Sequence, residues 1–122
     1  MSHKISYDSD IDCVILRIHG TVTIELIREL APQVASMLEK MNCHRLLNDM
    51  SATTIDIPFL ELFSNPRIMD ESRITRNTKR ALVLPPSFEE PEFLENVTRN
   101  RGHNLMVFKG IEEAKKWLLA DQ

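Results

Sequence analysis

The chain has 122 residues, 43% of them hydrophobic and 27% charged, with a formal net charge of −3. Those proportions fit a single soluble domain that can bury roughly two-thirds of its unfolded surface without a staple. They argue against general nucleic-acid binding, which needs a basic chain or patch, and no apolar run approaches the ~20 residues of a membrane span.

Ile5 to Asp8 can form a short strand, and Asp8-Ser9-Asp10 supplies turn formers. From Cys13 to His19 the chain alternates, with Val14, Leu16 and Ile18 on one face and Arg17 and His19 on the other, the period of a strand. The short link between the two runs predicts an antiparallel hairpin, and Gly20 is expected to end it. Thr23 can cap a helix whose apolar positions, Ile24, Ile27, Ala31, Val34, Leu38 and Met41, recur at steps of three and four. Pro32 lies inside that pattern and should kink the helix.

Arg45 to Met50 reads as a central strand whose end turns polar at Asn48 and Asp49. Asp56 can cap a following helix with Pro58 in its first turn, and Phe59, Leu60, Leu62 and Phe63 supply its apolar side. Asn65-Pro66 interrupts it. Residues 67–79 form a polar connection. Ala81 to Leu84 is another buried run, ended by Pro85-Pro86. A helix follows, started by Ser87 and Glu90 as a capping box or by Pro91 as its first residue, with Phe93, Leu94 and Val97 inward and Gly102 as its stop. Leu105 to Phe108 is the last strand, and Gly110 to Ala120 the last helix, with Ile111, Ala114, Trp117 and Leu118 inward.

The order is ββαβαβαβα, an α/β arrangement whose mostly parallel sheet is opened by an antiparallel hairpin, with helices packed on it. In such sheets ligands and partners meet the loops at the carboxyl ends of strands. Those loops are expected at Asp49 to Asp56, Pro85 to Glu90, and Lys109-Gly110.

Three stretches resemble the STAS domain, specifically its SpoIIAA-like, or STAS/SEC14-like, branch. They are Ile15-Leu16-Arg17-Ile18-His19-Gly20-Thr21-Val22-Thr23, Arg45-Leu46-Leu47-Asn48-Asp49-Met50-Ser51, and the closing strand and helix from Val107 to Leu118. The resemblance implies one STAS-like domain over residues 1–122 that acts as a non-enzymatic regulatory or protein-interaction module. Such domains bind partner proteins through the loop and helix after the third strand. In antagonist members an Asp-Ser-Ser at that helix start carries a phosphorylatable serine. A phosphate there would sit at the positive end of the helix dipole. This chain has Asp56-Ile57-Pro58 instead, so the aspartate is kept and the hydroxyls are lost. The resemblance therefore implies a contact surface without that switch, at Asp49, Ser51, Thr53, Thr54, Asp56, Ile57, Phe59 and Phe63. Ser51, Thr53 and Thr54 either satisfy loop backbone groups or provide a relocated phosphosite.

Asp49 and Asp56 have the residue type of an acid–base or Mg²⁺ pair, but no matching acid ends the first parallel strand, and cap and turn roles suit them better. Arg67, Arg73, Arg76 and Arg80 could bind phosphate, an anionic lipid or an acidic surface, or form a solvated connector. Cys13, His19, Cys43 and His44 lack metal-ligand spacing, and with three glycines in the chain there is no phosphate cradle. No metal, cofactor or enzymatic activity is expected. Two cysteines make no disulfide framework, and Met1 to Tyr7 lacks the apolar segment of a secretory signal, so the expected location is the cytoplasm. The partner is an unspecified protein, with a homodimer expected. The alternative is a lipophilic or anionic small molecule, which the SEC14-like label suggests by analogy.

Overall fold

The computed structural model describes residues 2–55, 77–86 and 104–120. Their elements run β1 (Ser2–Asp8), β2 (Cys13–Val22), α1 (Ile24–Lys40), β3 (Arg45–Ile55), β4 (Lys79–Val83), β5 (Leu105–Phe108) and α2 (Ile111–Leu119). The five strands form one sheet in the order β1-β2-β3-β4-β5. Only β1 and β2 are antiparallel; the other neighbours are parallel. This is the mixed α/β sheet expected from the chain pattern. The helix expected between its cap Asp56 and Asn65-Pro66, the helix expected between Ser87 and Gly102, and most of the 67–79 connection lie outside the described residues.

Each face of the sheet carries its own apolar cluster. Val14, Leu16, Ile18 and Val22 of β2, Leu46 and Met50 of β3, Leu82, Leu84 and Leu105 pack against Leu26, Leu30, Val34 and Leu38 of α1. Cys13, Ile15, Leu47, Ala81 and Val83 face the other way and pack against Ala114 and Leu118 of α2. A strand covered on both faces has no polar side to alternate with, which is why Ala81 to Val83 of β4 run into Leu84 without a polar residue.

The α1 boundaries follow from capping. The Thr23 hydroxyl accepts from the Leu26 amide at 3.2 Å. At the other end the Asn42 amide donates to the Glu39 carbonyl and the Cys43 amide to the Leu38 carbonyl, at 3.1 and 2.9 Å. This pair of bonds is a Schellman motif, with Asn42 in the left-handed region at φ 49°, where asparagine is tolerated better than most residues. Between the caps the helix continues through Pro32. Its buried line is Leu26, Leu30, Val34, Ala35 and Leu38. The line is therefore rotated from the predicted one, since Ile24, Ile27 and Met41 are only partly buried at its margin.

Three strands are longer than the sequence suggests by three residues or more, β1 because it begins at Ser2 and not at Ile5. β2 continues past Gly20 to Val22, with Gly20 at φ 101° inside it, a conformation that glycine reaches at no steric cost. β3 continues past Met50 to Ile55, so the loop expected from Asp49 to Asp56 is strand as far as Ile55. One side of this stretch is exposed, so its polar residues carry the signal of a loop.

Cations close the carboxyl end of α2. Arg45, at the start of β3, donates from Nε to the Leu118 carbonyl at 3.0 Å. Lys79, at the start of β4, donates to the carbonyls of Trp117 and Ala120, the latter at 3.1 Å. Its ammonium also lies 4.4 Å from the centre of the Trp117 ring. These groups supply partners to carbonyls the helix cannot bond internally and oppose its negative dipole end.

Candidate functional site

The parallel register of β2 on β3 places Arg17 beside Asp49, and the antiparallel register of β1 places Lys4 on the other side of Arg17. Asp49 pairs in turn with Val83, and Val83 with Phe108. One row across the sheet thus reads Lys4, Arg17, Asp49, Val83, Phe108. Alternation puts it on the α2 side, two residues along from Ile15 and Leu47. The β4–β5 end of the row is apolar, and the β1–β2 end is charged and open to water.

Asp49 is the fixed point of the row. Its Oδ2 receives the Arg17 Nε at 3.3 Å, while its Oδ1 accepts from the Ser51 amide at 3.1 Å and the Ser51 hydroxyl at 2.7 Å. Its side chain is 11% exposed and that of Arg17 is 45% exposed. The carboxylate is thus held from two directions, and the guanidinium extends from it into solvent.

Immediately beyond Asp49 the register slips. Arg17 pairs with Asp49 but His19 with Ala52, so Ile18 faces both Met50 and Ser51. This is a β-bulge, one extra residue on β3. The Asp49–Ser51 bonds close the turn of the bulge on one side, and the Thr53 hydroxyl donates to the Met50 carbonyl at 2.6 Å on the other. After the bulge Thr53 is buried, while Ala52 and Thr54 are exposed, as are Arg17, His19 and Thr21 on β2. The second halves of β2 and β3 therefore present a polar, open face to solvent.

Of the residues singled out from sequence, Asp49, Ser51 and Thr53 belong to this one hydrogen-bonded unit, and Thr54 lies on the strand just past it. The Ser51 and Thr53 hydroxyls already donate to the Asp49 carboxylate and the Met50 carbonyl, on a strand where the sequence predicts a loop. Asp56, Ile57, Phe59 and Phe63 lie outside the described residues, as do Arg67, Arg73 and Arg76. Arg80 does not lie in a polar connector. It is the second residue of β4 and only 4% exposed, and burial lowers its pKa to about 10. Lys4 and Arg17 are not among the candidate residues the sequence offers, and His19 enters there only as a residue of metal-ligand type. Alternation placed Arg17 and His19 on the polar side of a strand, but only the inter-strand register puts Arg17 between Lys4 and Asp49.

A second polar cluster lies at the opposite end of the strands. Tyr7 donates its hydroxyl to Asp12 Oδ1 at 2.6 Å, and Arg45 Nη1 lies 3.6 Å from Asp12 Oδ2. The bond to Asp12, with burial, raises the Tyr7 pKa to about 12. Cys43 donates to the carbonyls of Asp12 and Arg45, both at 3.3 Å. Burial pushes the Cys13 thiol up to about 12 and raises that of Cys43 as well. Such thiols are held protonated, the reverse of what a nucleophile or metal ligand needs. Among the described residues, no group of three or more His, Cys, Asp or Glu side chains is arranged to hold a metal, and no helix is long and apolar enough to cross a membrane.

No protein-family model matches the sequence, and no curated protein does either. Among solved structures, the chain is similar to the anti-sigma factor antagonist SpoIIAA in its unphosphorylated form. The likeness covers 93% of this chain and 92% of that one, with a TM-score of 0.54 and 13% identity. The chain has a STAS-like, SpoIIAA-like fold.

Proposed function

We propose that this domain is a non-enzymatic regulatory module that works by binding another protein through the end of β3 and the segment after it. The contact surface comprises Ser51 and exposed Thr54, held in place by buried Asp49 and Thr53, and Asp56, Ile57, Phe59 and Phe63 of the segment that follows are assigned to it. The observation that supports this most is the bulge unit. Asp49, Ser51 and Thr53 fix the backbone of β3 where its outer side is open, which gives a partner a rigid surface and reduces the ordering cost of association. Similarity to an anti-sigma factor antagonist supports the same reading through the fold, and Ile57 and Pro58 support a contact that needs no phosphoserine at that position.

The test is affinity purification of the tagged chain from its source cells, beside Thr54→Arg, which places a bulky cation on the exposed strand. A defined protein partner retained by the native chain and lost from Thr54→Arg is expected. Retention of no protein, or equal retention by both, would count against the surface. Intact-mass measurement of the same material should show an unmodified chain; a stoichiometric phosphate would restore a switch. Self-association is part of the reading, supported by the width of the apolar side in Pro58 to Phe63. A single monomeric species in sedimentation at high concentration would remove it.

A further inference from the structure

The open face of β1 and β2 carries a charge pattern that runs against the charge of the whole chain. Lys4 and Arg17 are direct cross-strand partners on that face, and His19 is the next outward residue along β2, opposite Ser2. All three are exposed. Like charges placed opposite one another on paired strands destabilise the pair. Among the described residues the carboxylate bonded to Arg17 is Asp49, which has its Oδ1 taken by Ser51 and meets Arg17 at Nε. The Arg17 Nη groups and the Lys4 ammonium meet no other side chain among the described residues, and both residues are exposed, so an overall acidic molecule has a small basic patch mounted on a sheet.

We propose that this patch receives a short acidic segment of a protein partner, two or three carboxylates meeting Lys4, Arg17 and His19. The proposal rests on the protein-binding reading above and names the partner's chemistry at the Arg17 side of the Asp49 unit. The size of the patch favours an acidic peptide over the other polyanions. Duplex DNA binders gain affinity from about 6–10 phosphate contacts, and lipid-surface recognition takes clusters of about 4–8 Lys or Arg. A net charge of −3 repels both over the rest of the surface. A few carboxylates match the three side chains, and the Nε contact with Asp49 leaves the Arg17 Nη edge directed toward solvent, where it can meet a carboxylate.

The test uses the whole chain and a labelled oligoglutamate peptide, with single-stranded DNA and anionic vesicles as parallel probes. The native protein should bind the peptide at about 50 mM salt and lose it by about 500 mM, where screening shortens the reach of each charge. Lys4→Glu should weaken binding about tenfold by reversing one contact charge. Lys40→Glu, the same charge change on an exposed position of α1, should leave binding unchanged. Absence of peptide binding at low salt, or equal loss in the two variants, would overturn the proposal. So would DNA or vesicles binding more tightly than the peptide with the same dependence on Lys4. In the affinity purification, a partner lost from Thr54→Arg but kept by Lys4→Glu would leave the protein-binding reading standing and remove this one. Oligoglutamate binding reads the patch alone and does not depend on capturing a partner.

Discussion

Strands β2 and β3 lie side by side along their length, yet their two halves have different surroundings. In the first half, Cys13 to Leu16 and Leu46 to Leu47 are buried between α1 and α2 and are at most 6% exposed. In the second half one face still packs on α1 through Ile18, Val22 and Met50, while the other shows Arg17, His19, Thr21, Ala52 and Thr54 to solvent. One half is held by packing on both faces, and the other by packing on one face and hydrogen bonds around Asp49 on the other. The same pair of strands can thus anchor the fold at one end and offer a surface at the other.

Substitutions should separate the halves by size of effect. Leu47→Ala, at a fully buried position, should cost about 2–5 kcal/mol through lost transfer energy and a cavity, read from denaturant unfolding. Asp49→Ala should cost about 1–2 kcal/mol, because it strips the bulge of its acceptor while Arg17 can turn to water. A loss as large as that of Leu47→Ala would mean the open half is as tightly built as the closed one. Gly20→Ala should cost about 1 kcal/mol, since its positive φ disfavours a side chain. The Arg17–Asp49 coupling in a double-mutant cycle should stay below about 1 kcal/mol, the range of exposed pairs.

The last prediction changes little free energy but has a sharp readout at the closed end. The chain has one tyrosine, so tyrosinate absorbance reports Tyr7 alone. It should titrate near 12 in the folded protein instead of 10.0, and Asp12→Asn should bring it back down. The folded chain keeps this proton where the unfolded chain releases it. The contribution to stability is therefore complete below pH 10.0 and is lost as pH rises through about 12. Cys13, raised from 9.0 to about 12, acts in the same direction. A Tyr7 titration at the ordinary value would show that the hairpin end is open.

The closed half was the legible half. Val14, Leu16 and Ile18 announce β2 by alternation, Ala81 to Leu84 announces β4 by continuous burial, and the capping residue Thr23 fixes the start of α1. The open half was harder to read because its signals are those of loops. Polar Ser51, Thr53 and Thr54 follow Asp49, and Gly20 stands where a strand would be expected to stop. Arg17 as the partner of Asp49 could not be found from either strand alone. Their pairing depends on the register set by α1 and its Schellman exit at Asn42, a turn that composition does not mark strongly. Arg80 is hard to place for a related reason, since its charge suggests the end of a connector where the chain has already entered β4.

The extra residue in β3 has a consequence for how this segment can change. Without the bulge, every second residue after Asp49 would keep to the outer side, and Thr53 would face out with Ala52 and Thr54 turned inward. One residue added or removed between Asp49 and Ala52 therefore exchanges inside for outside over the rest of the strand. Its length hardly alters. Lineages that vary here by single insertions would present different side chains to a partner from nearly the same sequence, whereas changes of two residues would preserve the surface.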